Sequence, residues 1–395
     1  MKRWFLLLLL ITLTAPLAAD ATAAQARPSS ATRAAQNPFR PYSVVSPEVN
    51  ADRTVTFRFL DPNAQRVVVT VEGSAHPLPM EKNADGVWTA TTPALDPNFY
   101  GYSFHADGVP LIDPANSLIK PNLLNPQSMV LVPGTPPMPW EMSNVPHGVV
   151  RHVFYHSNVV GDNRDYYVYT PPGYDPKEKA KYPVLYLLHG YSDDASGWTA
   201  VGRANIILDN LLAQGKVKPM IVVMPLGYGA PEIVARTGPG LSRPNLWQEN
   251  ITKFQQALFT EVIPQVETNY RVKADRDDRA IAGLSMGGSE SLYVGLNNLD
   301  RFAWVGSFSA AVFDTHFDVD YPQLNSSVNS KLHLLWIACG TEDRLVVGNR
   351  NFRAWLTSEG IHHADIETPG MHTWMVWRND LVNFAPLLFQ GAGGK

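Results

Sequence analysis

The sequence predicts an α/β domain with a mostly parallel central sheet, preceded by a small all-β sandwich of immunoglobulin-like type. Three observations carry this. Short segments of period-two alternation fill the stretch from Tyr42 to about Val132, as in sandwich strands. Pro133-Gly134-Thr135-Pro136-Pro137-Met138-Pro139 then breaks all regular structure. Beyond it, apolar strand candidates alternate with amphipathic helices, the pattern of a parallel sheet covered on both faces.

The chain opens with Lys2 and Arg3, an apolar run from Phe5 to Leu13 and a small-x-small site at Ala24-Gln25-Ala26. Residues 1–26 therefore read as a secretory signal peptide. Its apolar core is shorter than the roughly 20 residues a bilayer span needs, so the expected product is exported, periplasmic or secreted, and free of the membrane after cleavage. Residues 27–41 are rich in Ala, Ser, Pro and Arg without periodicity, the composition of a flexible leader. The net charge of −4 gives no basic footprint for nucleic acid. Cys339 is the single cysteine, so core packing must hold an exported chain together without an intrachain disulfide. Its apolar setting, Leu334-Leu335-Trp336-Ile337-Ala338, reads as that of a buried structural thiol.

In the sandwich, assigned to residues 42–133, the strand candidates are Thr54–Phe59, Val67–Val71, Val87–Thr91 and Tyr100–Phe104. Asp61-Pro62-Asn63, Asp85-Gly86 and Asp107-Gly108 are the turns between them. Residues 134–144 form the linker. In the second domain, residues 145–391, Val149–His156 and Asp165–Thr170 open as an antiparallel pair. Val184–Leu188, Met220–Met224, Ala280–Gly283, Trp304–Phe308 and Leu332–Ala338 follow as buried strands. Ala204–Ala213 is a predicted helix, and so is Phe254–Tyr270, whose Phe254, Leu258, Val262 and Val266 recur every four residues.

Gly283-Leu284-Ser285-Met286-Gly287 follows the apolar run Arg279-Ala280-Ile281-Ala282. Such a nucleophile elbow, a strand turning sharply into a helix, strains the serine backbone, needs neighbours without side chains, and exposes the hydroxyl at the sheet edge. In an open α/β sheet the working groups collect at the carboxyl ends of the strands. The acid is then expected in Cys339-Gly340-Thr341-Glu342-Asp343, which leaves Asp343 and Glu342 as candidates. His372 lies in the loop Thr368-Pro369-Gly370-Met371-His372-Thr373-Trp374. It is favoured over His362 and His363, which abut each other where surface exposure is expected, and over His316, which precedes the acid. The order serine, acid, histidine is that of an α/β-hydrolase. Backbone N–H groups of Met286, the residue after the nucleophile, and of Tyr191, in the loop His189-Gly190-Tyr191, are the expected oxyanion donors; His189 itself reads as structural. Trp198 and Trp374 are candidate walls for an aromatic acyl group, and Trp247 for the leaving-group side. No metal-ligand spacing occurs, and no cofactor is implied.

Five separated motifs resemble the esterase D-like family, and within it bacterial feruloyl esterases of carbohydrate esterase family 1. They are Tyr186–Tyr191, Met220–Pro225, Ala282–Gly288, Ala338–Asp343 and the His372 loop, and the resemblance covers about residues 145–390. It implies a triad of Ser285, Asp343 and His372, and so selects Asp343 over Glu342. The front domain, through Ser46-Pro47-Glu48-Val49, Asp85-Gly86-Val87-Trp88 and Tyr100-Gly101-Tyr102-Ser103-Phe104, resembles carbohydrate-binding module family 48. Trp88, Tyr100 and Tyr102 either stack on sugar rings or fill the sandwich core; a lid over the active site is a third role for the domain. The resemblance implies an exported serine esterase releasing feruloyl or acetyl groups from xylan-type polysaccharide. The alternatives are a siderophore trilactone esterase, an acyltransferase of the same fold, and a non-catalytic glycan-binding protein.

Overall fold

The computed structural model describes residues 44–235, 242–313 and 316–390. The predicted signal segment and leader lie outside the described residues. Everything described falls in one compact unit.

Two antiparallel sheets form the front domain. One runs in the order Glu48–Val49, Val55–Leu60, Val87–Thr91, Glu81–Lys82; the other runs Leu78–Pro79, Val67–Val71, Asn98–Ala106, Gln127–Val132, Ile119–Lys120. Alternation along Val67–Val71 buries Val67, Val69 and Val71, the period of a half-buried strand. These pack with Phe57, Tyr102 and Phe104 into the sandwich core. Trp88 and Tyr102 are among the buried residues, and each has a local polar partner: Trp88 Nε1–H donates to Asp61 O at 2.8 Å and the Tyr102 hydroxyl to Asp113 at 2.8 Å. Tyr100 is buried too and donates to Asp96 O. Of the two roles open to these aromatics, the structure gives them the core.

The segment 134–144 has no helix or strand, yet it packs closely. Trp140 is buried, and Glu141 accepts from the amides of Gly134 and Met138 at 2.8 and 2.9 Å.

The second domain is built on eight strands: β1 (Val149–His156), β2 (Asn163–Thr170), β3 (Val184–Leu188), β4 (Ile221–Pro225), β5 (Arg279–Leu284), β6 (Trp304–Phe308), β7 (Leu334–Gly340) and β8 (Ala364–Thr368). Their spatial order is β1-β2-β4-β3-β5-β6-β7-β8, with β1/β2 and β2/β4 antiparallel and the rest parallel. This is the α/β-hydrolase fold. Strands β3 to β6 are buried throughout because helices cover both faces.

Those helices are α1 (Ala204–Ala213), α2 (Leu246–Ala257), α3 (Ile263–Asn269), α4 (Met286–Leu296), α5 (Val346–Ser358) and α6 (Trp374–Phe384). A π-helical turn, Leu258–Val262, joins α2 to α3. The long predicted helix is thus continuous, and Phe254, Leu258, Val262 and Val266 all face one core cluster. No helix of the described residues is long and apolar enough to cross a membrane.

Sheet order positions the site. From β3 the chain moves outward to β4, then returns to lay β5 on the other side of β3, so the connections diverge between β3 and β5. Loops leaving such a switch point separate and leave a crevice at the carboxyl ends.

Candidate active site

Ser285 joins β5 to α4 with φ 52° and ψ −114°, a strained conformation costing on the order of 1–3 kcal/mol for a residue with a side chain. The surroundings fix it there: its N–H donates to Phe308 O at 2.8 Å, and its carbonyl accepts from Ala311 at 3.0 Å and Ser289 at 3.1 Å. The flanking glycines are required by contact. A Cβ on Gly283 would stand 2.5 Å from Gly287 O, and one on Gly287 would strike the Leu188 and His189 backbone.

His372 Nε2 lies 2.9 Å from Ser285 Oγ, and its Nδ1 lies 2.7 Å from Asp343 Oδ2. Nδ1–H therefore donates to the carboxylate, leaving Nε2 as the acceptor for the Ser285 hydroxyl. Asp343 is buried, and Leu345 N–H donates to its other oxygen at 2.8 Å. Burial raises its pKa, but the hydrogen bond and charge of His372 and the Leu345 amide outweigh that, and the carboxyl is held below its ordinary value. Glu342 is exposed and bonds the hydroxyl of Thr341. The acid turn and histidine loop are joined by backbone bonds, Thr341 N–H to Thr368 O at 2.8 Å and Glu342 N–H to Gly370 O at 3.1 Å. His362 is exposed, and His363 bonds the Ile361 carbonyl.

The His189-Gly190-Tyr191 loop leaves β3 beside the elbow. A Cβ on Gly190 would meet Leu284 Cδ1 at 2.5 Å and Ser285 Cβ at 3.3 Å, so glycine is what lets this backbone close on Ser285. Among the described residues neither the Tyr191 nor the Met286 N–H has an acceptor; Met286 opens α4, where the first amides have no intrahelical partner. His189 is buried and bridges two loops, receiving Gly227 N–H on Nε2 at 2.9 Å and donating from Nδ1 to Gly190 O at 2.8 Å. Burial lowers its pKa, consistent with a neutral structural ring.

A cavity of about 210 Å³ opens over Ser285 and His372. Tyr191 and Trp374 border it, but Trp198 does not. Trp198 is wholly buried, donates Nε1–H to Leu188 O at 2.8 Å and stacks edge-on against Trp374 at 5.1 Å. The expectation that it forms a substrate wall is corrected: its polar atom is needed inside, and the indole fills the core beneath Trp374. Trp247 borders a different cavity of about 380 Å³ with Ser289, Tyr293 and Phe313, beyond the nucleophile helix. Sequence reasoning missed the polar residues of the Ser285 cavity: Glu72, Lys120 and Asn122 from the sandwich, and Asp193 and Arg344 from the hydrolase domain. None lies in a motif, and the three from the sandwich reach the cavity only because the two domains pack together.

An α/β-hydrolase with a serine, histidine and carboxylate in hydrogen-bonded series at its switch point is a scaffold for acyl transfer through a serine ester. The Esterase family model matches residues 157–388, and the chain belongs to that family. The model of carbohydrate-binding module 48 (isoamylase N-terminal domain) matches residues 45–122.

The "Endo-1,4-beta-xylanase/feruloyl esterase" of Xylanibacter ruminicola is 29% identical over 360 residues, covering 90% of this chain and 47% of that protein. The "Acetyl esterase" of Caldicellulosiruptor saccharolyticus is 23% identical over 233 residues, 51% of this chain and 80% of that one. The chain spans about half the length of the first curated relatives it matches. A solved CE1 ferulic acid esterase from Anaeromyces mucronatus superposes with a TM-score of 0.55 at 26% identity, covering 63% of this chain and 93% of its own. The enterobactin esterase of Shigella flexneri superposes with a TM-score of 0.64 at 18% identity over 87% of this chain and 94% of its own, a likeness of fold.

Proposed function

We propose that the protein is an exported serine carboxylic-ester hydrolase that releases feruloyl or acetyl groups from xylan-type polysaccharide. His372 takes the proton of Ser285 as the hydroxyl attacks the ester carbonyl, Asp343 stabilises the resulting imidazolium, and the amides of Tyr191 and Met286 hold the oxyanion. The alcohol leaves with the proton from His372, and water, deprotonated by the same imidazole, releases the acid. The observation that carries this is the continuous series Ser285 Oγ, His372, Asp343 at 2.9 and 2.7 Å beside two unpaired amides.

The substrate reading draws support from the xylanase/feruloyl esterase relative, which aligns across both domains, and from the ferulic acid esterase structure. A trilactone substrate is the second reading, because the enterobactin esterase matches both domains in fold. Methyl ferulate, acetylated xylan and a catecholate trilactone, each run against Ser285→Ala as blank, decide between them. Ferulate and acetyl turnover orders of magnitude below trilactone turnover rejects the xylan reading.

A further inference from the structure

Glu72 follows the sandwich strand Val67–Val71, yet its side chain reaches the hydrolase. Its carboxylate Oε1 accepts from the backbone N–H of Trp374 at 3.3 Å and stands 3.1 Å from the ammonium of Lys120. Oε2 accepts from Gly101 N–H at 2.9 Å, while Glu72 N–H donates to Gly101 O at 2.8 Å. Both the main chain and the side chain of Glu72 are thus tied to one sandwich residue. Glycine leaves room for this closure: a Cβ at 101 would lie 3.0 Å from Glu72 Oε2 and from Gln127 Oε1, and 3.1 Å from Lys120 Cδ, so these side chains would have to give way. The side chains of Glu72 and Lys120 are only 10% and 12% exposed, so this is a shielded pair and not a surface contact.

Trp374 is the first residue of α6, and its amide has no intrahelical acceptor. A carboxylate at that end is also favoured by the helix dipole. Two residues upstream is His372. The same helix is fastened to the sandwich further along: buried Arg378 donates to Asn98 Oδ1 at 2.7 Å and to Phe99 O at 3.2 Å, and Met375 packs against Gly73. On the other side of the cavity, Asn122 donates to Asp193 Oδ1 at 3.1 Å and Leu123 N–H to Ser192 O at 2.7 Å, next to the expected oxyanion loop.

We propose that Glu72 is a positioning residue for the ester chemistry: anchored in the sandwich, it holds the start of α6 and with it the His372 loop in register with Ser285. The sandwich is then a working part of the hydrolytic site. This rests on Ser285 and His372 being the reacting pair.

The test uses the full chain and a fluorophosphonate probe, which forms a bond from Ser285 Oγ to phosphorus, expels fluoride and passes the serine proton to His372. Final stoichiometry reports correctly folded sites; the second-order rate constant reports how well the base is placed. Glu72→Ala is expected to label to the wild-type stoichiometry with a rate constant about tenfold lower, equivalent to roughly 1.4 kcal/mol. Glu72→Gln, which keeps one acceptor oxygen and nearly the same volume, is expected between the two and serves alone if the alanine variant does not fold. Wild-type rate constants in the variants overturn the proposal, whether stoichiometry is full or reduced, because Glu72 then only packs the interface. If Ser285→Ala is labelled like wild type, the reading of the active site itself fails, and this inference falls with it.

Discussion

Nδ1 of His372 stands 2.7 Å from Oδ2 of Asp343, and that carboxylate is buried at the end of β7 while its neighbour Glu342 faces solvent. A buried, ionised partner fixes the imidazole tautomer and stabilises the imidazolium. Asp343→Asn is therefore expected to lower kcat by roughly 10⁴, whereas Glu342→Gln leaves it near wild type; steady-state kinetics on methyl ferulate separates the two. The folded carboxyl is held below its ordinary value, so its contribution to stability is present above the unfolded pKa and disappears as pH falls through the folded one. The acid limb of a thermal-stability profile should be shallower for Asp343→Asn.

Gly190 permits the His189-Gly190-Tyr191 loop to approach Ser285. Adding a methyl there places it 2.5 Å from Cδ1 of the buried Leu284, and that packed side chain or the loop must yield. Gly190→Ala is expected to cost on the order of 10²-fold in kcat, the size of one lost oxyanion donor. Tyr191→Ala, which keeps the amide, should leave most of kcat. Comparing kcat for the two variants checks that the backbone, and not the phenol ring, does this work.

Asp193 is buried beside the same cavity, and burial pushes its carboxyl from 3.8 up to about 7, opposed by Lys120 and the Asn122 hydrogen bond. Between those values the folded chain holds a proton that the unfolded chain has lost, so this group's contribution to stability falls as pH rises from about 4 to about 7 and is flat above. Asp193→Asn retains an acceptor for Asn122 and removes the titration. The wild type should lose stability relative to this variant across that window, by on the order of a few kcal/mol, measured by denaturant unfolding at stepped pH.

Trp88 is buried between the sandwich sheets with its N–H on Asp61 O. Trp88→Ala is expected to destabilise the chain by roughly 3–5 kcal/mol, read by chemical denaturation, while retention of the folded variant on insoluble xylan stays unchanged. Loss of retention without loss of stability would place a sugar on this ring instead.

Much of the fold was legible because its signals are local. Alternation marked Val67–Val71 and Val87–Thr91, a four-residue recurrence marked Phe254 to Val266, and unbroken apolar runs marked β3 and β4. The elbow was legible because the close backbone contacts around Ser285 demand glycine at 283 and 287, a requirement written in adjacent residues. Trp198 was misplaced because an indole after the β3 loop looks the same whether its N–H meets substrate or Leu188 O. The role of Trp88, Tyr100 and Tyr102 stayed open because alternation tells which residues share a face, not which face is covered. Glu72, Lys120 and Asn122 left no signal at all: they reach Ser285 only through the packing of one domain on the other, which no periodicity or motif encodes.

The central claim is that Ser285 carries the acyl group of a hydroxycinnamoyl ester. Acid quenching during turnover of methyl ferulate, followed by peptide mass analysis, tests it directly. A feruloyl group on the peptide containing Ser285, absent together with turnover in Ser285→Ala, is the predicted result. Methyl ferulate consumed equally by wild type and Ser285→Ala, with no adduct on that peptide, would contradict it.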